Sequence, residues 1–143
     1  MKNDNKALAN QFLDLSWRKG NLQQLKDIST DNFYYQTTFT DDILSLEQYF
    51  DYIVTFRTSM PDIMLHIEET MSEGNRVMTH ISFSGTVKEA FYGIPATDNI
   101  IAFTAVSLWD IKNGKVASLN SLIDIRGIED QLKTRLSKPP IMV

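Results

Sequence analysis

The sequence predicts an α+β fold: a cone-shaped, curved antiparallel β-sheet with three N-terminal helices closing a central cavity. Three observations carry this. Apolar residues recur at helical spacing up to Pro61, the period switches to two from Asp62 onward, and Asn113-Gly114 stands between two strand-like runs as a hairpin turn. Helices first and antiparallel strands after them define α+β, whereas alternating units would build a parallel sheet.

The elements follow in order. Leu8, Phe12 and Leu15 form one stripe of an amphipathic helix over residues 5–18, which Lys19-Gly20 terminates. Asn21 caps a short helix from Leu22 to Ile28, and Ser29-Thr30-Asp31-Asn32 reads as a turn. Phe33 to Phe39 is aromatic and β-branched, hence a strand. Ser45 with Gln48 makes a capping box for a helix carrying Leu46, Tyr49, Phe50, Ile53, Val54 and Phe56, read as buried on two sides and stopped by Pro61. Two alternating strands flank the Glu73-Gly74-Asn75 turn, and residues 86–98 form an irregular loop containing Phe91-Tyr92-Gly93-Ile94-Pro95. Ile100–Ile111 and Val116–Ile125 are the arms of the Asn113-Gly114 hairpin. Gly127 breaks the last strand, Ile128–Leu136 forms a terminal helix, and residues 138–143 are extended. Residues 1–143 read as a single domain.

Composition narrows the function. The chain has 143 residues, a formal net charge of −4 and no cysteine. A mildly acidic chain without a Lys/Arg run does not fit nucleic acid or an anionic membrane. The missing cysteines remove disulfides, thiol catalysis and cysteine zinc sites. No apolar stretch has the length of a signal peptide or a membrane span, so the cytoplasm is the expected location. Glycine-rich phosphate loops, nucleophile elbows and His-x-x-x-His spacings are absent, and no metal site is expected.

The hairpin points to a site. With a two-residue loop, Lys112 opposes Lys115, Trp109 faces Ser118, Ser107 faces Asn120, Ala105 faces Leu122 and Phe103 faces Asp124. That face combines a carboxylate, an amide and hydroxyls with Trp, Phe and Leu, as in the lining of a small-molecule cavity. Asp124 is the candidate acid/base, because desolvation beside Phe103 and Leu122 favours its protonated form. The alternative is that Asp124 pairs with Arg126 or caps the terminal helix. His80 opposes Ile67 or Glu69 in either plausible register of its hairpin, and His66 is read as pointing to the opposite face. A lone strand histidine is more often structural than catalytic. Of Tyr34 and Tyr35, one faces the helices and the other the cavity.

These patterns resemble the SnoaL-like polyketide cyclases, or ester cyclases, of the nuclear transport factor 2-like and ketosteroid isomerase-like superfamily. The resemblance is carried by Phe56 with Met60-Pro61-Asp62, Glu73-Gly74-Asn75-Arg76-Val77, Phe83-Ser84-Gly85-Thr86 and Phe91 to Thr97. It continues through Trp109-Asp110, Asn113-Gly114-Lys115-Val116, and Asp124 with Gly127 and Gln131-Leu132. It implies a cofactor-independent acid/base reaction on a small apolar carbonyl compound, with Asp124 as the proton-transfer group. His80 or a tyrosine would polarise the oxygen, and Tyr35, Phe103, Ser107, Trp109, Asn120 and Leu122 would contact the substrate. The chain departs from the family where Asn120 replaces a tryptophan, His80 an arginine, Val87 a histidine, and Tyr35-Gln36 a further histidine.

Three functions stay open: such an enzyme, a non-catalytic small-ligand binder, and an interaction domain that dimerises through its sheet. A homodimer is expected, because strands apolar on both faces need two covers and the helices supply one.

Overall fold

The computed structural model describes residues 4–133 and Leu136. Helix α1 (Asn5–Leu13) buries Ala9, Phe12 and Leu13. It widens into a π-helical segment, Asp14–Lys19, that turns Leu15 and Ser16 inward and ends at Gly20 in the left-handed conformation (φ 61°). Helix α2 (Leu22–Asp27) is capped by Asn21, whose side chain accepts the Gln24 N–H at 3.0 Å. Strands β1 (Ser29–Thr37) and β2 (Thr40–Leu44) precede helix α3 (Leu46–Ser59). The predicted capping box holds α3: Ser45 Oγ accepts the Gln48 N–H at 3.2 Å, and Gln48 Oε1 accepts the Ser45 N–H at 2.9 Å. Strands β3 (Met64–Glu73), β4 (Arg76–Thr86), β5 (Ile100–Lys112) and β6 (Lys115–Ile123) run as a meander into helix α4 (Ile125–Leu132).

The six strands form one curved, unclosed sheet in the order β2-β1-β6-β5-β4-β3. It is mixed rather than wholly antiparallel, because β1 pairs with β6 in parallel. Ser29–Asn32, read as a turn, belongs to β1, since pairing with β6 overrides its turn chemistry. Strand β2 went unanticipated: Thr-Asp-Asp-Ile-Leu carries little strand signal, and it is a short, charged edge. Helix α3 is buried along one broad side through Tyr49, Tyr52, Ile53 and Phe56, and Val54 is exposed. Helix α4 starts before Gly127, not after it. The expected extended tail, residues 138–143, lies outside the described residues.

Two bulges set which side chains face which way. In the β5–β6 hairpin Lys112 pairs with Lys115 and Ile111 with Val116, as expected from the turn, but Asp110 pairs with Ser118. Ala117 is therefore the extra residue, and beyond it every side chain of β6 changes face. Trp109 pairs with Leu119, Ser107 with Ser121 and Ala105 with Ile123. In the β3–β4 hairpin Glu69 pairs with His80 and His66 with Ser82, so Glu68 is extra. His66 and His80 thus share the outer face instead of pointing apart, because the bulge shifts the alternation by one.

The concave side is packed by the N-terminal helices. Phe12 meets Phe33, Tyr49 and Trp109 at centroid distances of 5.6, 5.5 and 5.4 Å. The loop after β4 folds inward through Val87, Phe91 and Ile94, which are buried, and Tyr92 packs on Phe39 and Tyr52. Helix α4 docks where β6 no longer accompanies β5. The Gln131 amide accepts the Ala102 N–H at 2.8 Å and donates to the Ala102 carbonyl, serving both backbone groups as a neighbouring strand would.

Candidate functional site

The concave face of β5 presents Phe103, Ala105 and Ser107, and the re-phased β6 presents Leu119, Ser121 and Ile123 beside them. Strand β1 adds Tyr35, helix α3 adds Tyr49, Tyr52 and Phe56, and Leu13 and Trp17 close the helical side. The cavity they enclose measures about 20 Å³, room for about one water.

Its polar groups are hydroxyls. Ser107 Oγ and Ser121 Oγ are 2.9 Å apart, and Thr37 Oγ1 and the Tyr52 hydroxyl are 2.9 Å apart. The Tyr35 phenol lies between the two pairs, where Ser121, Tyr52 and Thr37 act on it. A second chain runs alongside: the Tyr49 hydroxyl donates to Ser16 Oγ at 2.9 Å, which donates to the Phe12 carbonyl at 2.7 Å. Among the described residues no buried side-chain nitrogen or oxygen lacks a partner.

Burial pushes the Tyr35 phenol above its ordinary value, although hydrogen bonds from Ser121, Tyr52 and Thr37 offset part of the rise. Tyr49 and Tyr52 are pushed well up, first by burial and then by the neighbouring Tyr35. All three stay neutral through the physiological range, and Tyr49 donates to Ser16.

The residues singled out from sequence divide between the two faces. Tyr35, Phe103 and Ser107 line the cavity. Trp109 is fully buried behind it, with Nε1 donating to Thr79 Oγ1 at 3.0 Å. Asn120, Leu122 and Asp124 lie on the other face, which corrects their expected placement: the Ala117 bulge turns them outward, and Leu122 is 47% exposed. Asp124 is exposed and caps α4, accepting the Gly127 N–H at 2.9 Å, so of the alternatives weighed for it the cap is what the structure shows. A Cβ at Gly127 would meet the Asp124 carboxylate, so a side chain there would push the capping group aside. His80 is also on the outer face, between Glu69 of β3 and Val106 of β5. Among the described residues no three His, Asp or Glu side chains are grouped to hold a metal ion.

Sequence reasoning missed Ser121 and Tyr52. Tyr52 was accessible, because it lies three residues from Tyr49 and four from Phe56 on one helical face. Ser121 was not, because a single bulged alanine leaves no mark in an otherwise alternating strand.

The chain belongs to the SnoaL-like polyketide cyclases, whose family model matches residues 7–132. Solved structures with the same fold include a SnoaL-like polyketide cyclase from Agrobacterium tumefaciens, at 22% identity and TM-score 0.77, covering 92% of this chain and 99% of that one. IdmH from Streptomyces antibioticus, described as a candidate polyketide cyclase, aligns at 16% identity and TM-score 0.76, covering 92% and 100%. TsrD from Streptomyces laurentii aligns at 18% identity and TM-score 0.74, covering 89% and 96%. A search of curated proteins finds no match.

Two outcomes follow. Because folding raises the pKa of Tyr35, Tyr49 and Tyr52, they stabilise the fold below the unfolded phenol value of about 10, and that stability falls as pH rises above it. Phenolate absorbance should therefore show these tyrosines ionising only together with alkaline unfolding, not in a separate earlier step. Replacing Asp124 by Ala should cost about 1 kcal/mol in denaturant unfolding, and replacing it by Asn only a few tenths, since either Asp or Asn caps a helix.

Proposed function

We propose that the protein binds a small, mostly apolar molecule carrying a carbonyl or hydroxyl oxygen, held against the concave face of the sheet. The observation behind this is the convergence of Tyr35, Tyr52, Ser107 and Ser121 on a cavity otherwise walled by aromatic and aliphatic side chains, with Thr37 bonded to Tyr52 behind it. Neutral hydroxyls in a dry pocket orient an oxygen-bearing ligand without moving a proton. At about 20 Å³ the cavity must open to admit it, so binding is coupled to displacement of the aromatic lining. Breaking the internal Ser107–Ser121 or Thr37–Tyr52 bond is compensated when the ligand oxygen takes the freed donor.

Family membership favours a second reading, a cofactor-independent cyclase or isomerase. On that reading the hydroxyl cluster would polarise the carbonyl, and Asp124 would have to leave its cap on Gly127 and reach the concave side to transfer the proton, while His80, on the outer face, would take no part. The two readings part on one variant. Asp124→Asn abolishes turnover of a bound carbonyl compound if the enzyme reading holds, and leaves affinity intact if the protein only binds.

We further propose that a second copy of the chain covers the outer sheet face, where Leu108, Leu122, Met71 and Tyr34 remain exposed around half-buried Val106. The working compartment on this reading is the cytoplasm.

Thermal-shift screening of cyclic and polycyclic ketones tests the binding claim. A hit should lose about five- to tenfold in affinity in Ser121→Ala and in Tyr35→Phe. A ligand indifferent to both variants would contradict it. For the dimer, light scattering at micromolar concentration should give twice the chain mass, and Leu122→Glu should return it to one.

A further inference from the structure

Trp17 divides two spaces. On its inner side the indole packs against Phe56, with centroids 5.5 Å apart at 69°, and against Phe83 at 5.0 Å, forming part of the cavity wall. On its outer side lies an open groove of about 520 Å³ bounded by Trp17, Arg18, Val54, Arg57, Pro61 and Ile63. That volume falls within the roughly 300–1,000 Å³ typical of small-molecule sites. The groove walls carry two guanidinium groups and no carboxylate.

The two cations differ. Arg18 is engaged, donating to the Leu65 carbonyl at 3.1 Å and lying 3.5 Å from Asp14. Arg57, in the last turn of α3, has no hydrogen-bond or ion-pair partner among the described residues. Its head lies across Gly20, where an added Cβ would collide with Nη1. A glycine in the left-handed conformation therefore both ends the π-helical segment and leaves space for the guanidinium over the groove. Trp17 itself sits within that π-helical segment, a widened turn of the kind that recurs at functional sites.

We propose that this groove binds a small planar aromatic anion, with its ring against the Trp17 indole and its acid group on Arg57, flanked by Arg18. A guanidinium is weakly hydrated and matches a carboxylate with two parallel donors, which suits it to a partly open site beside an aromatic wall. Because Trp17 belongs to both walls, the apolar end of such a ligand lies next to the inner cavity, and rotation of the indole joins the two spaces. The proposal rests on the concave-face reading for the destination of that apolar end, but not for the anion contact.

The test uses naphthoate and its neutral counterpart naphthalenemethanol, followed by the two indole N–H signals in heteronuclear spectra of the full chain. Trp17→Phe assigns them, since the chain has only Trp17 and Trp109. Naphthoate should shift the Trp17 signal and bind more tightly than the alcohol. Arg57→Gln should weaken naphthoate about fivefold while leaving the alcohol unchanged, and Arg57→Lys should retain part of the preference. Equal binding of acid and alcohol to the unmodified protein, or an Arg57→Gln variant with undiminished naphthoate affinity, would overturn the proposal. Shifts confined to Trp109 would also overturn it while leaving the concave-face reading standing. Shifts confined to Trp17 with the predicted Arg57 dependence would support the groove even if Ser121 and Tyr35 variants showed the concave-face reading to be mistaken.

Discussion

One extra residue in strand β6 decides the character of this molecule. A regular ladder from the Asn113-Gly114 turn would aim Asn120, Leu122 and Asp124 at the helices and Leu119, Ser121 and Ile123 at solvent. The Ala117 bulge reverses both sets. A carboxylate under Phe12, Tyr49 and Phe103 would have to be neutralised or paired to remain there. With the reversal, two aliphatic side chains and one hydroxyl enter the core instead, and the hydroxyl finds Ser107 directly across the strand. The carboxylate moves to the start of α4, where the unpaired backbone N–H groups need an acceptor. The bulge also adds local twist, as the Glu68 bulge does in β3, and a sheet that wraps around three helices needs it.

The interior that results is polar only through groups that satisfy one another. Buried hydroxyls contribute when bonded and cost roughly 1–3 kcal/mol each when left alone, so the Tyr35-centred cluster is stable as it stands. A ligand gains little from meeting it unless its own oxygen restores the bonds it breaks. That condition selects for an oxygen acceptor or donor set on an apolar frame, and against a purely hydrocarbon guest. On the proposed binding role, the aromatic packing that leaves so little free volume means that a ligand would enter by displacing Trp17 or the lining rings, rather than into a preformed void.

Much of the architecture was legible because it rests on local chemistry. The Ser45/Gln48 box, the Gly20 stop, the Asn21 cap and the Asn113-Gly114 turn each act over a few residues, and each appears in the structure as read. What could not be read depends on distant pairing. Ser29–Asn32 is turn-like in composition and becomes strand only because β6 lies beside it. Strand β2 exists as an edge on β1 and carries no pattern of its own. The site suffered most, since a register counted from a turn carries any bulge error to every position beyond it. Tyr35, Phe103 and Ser107 were unaffected because they do not lie on the bulged strand. Asn120, Leu122 and Asp124 were displaced together.

The facing of β6 can be measured directly because the chain contains no cysteine. Single cysteines placed by Ser121→Cys and Leu122→Cys report the two faces through their reaction rates with a maleimide in the folded chain, at a dilution that keeps it monomeric so that a second copy does not cover position 122. The account predicts rapid labelling at position 122 and protection at position 121 until the protein is unfolded. Protection at 122 with rapid labelling at 121 would show that β6 follows the regular hairpin register, returning Asp124 to the concave side and removing the hydroxyl cluster on which the site depends.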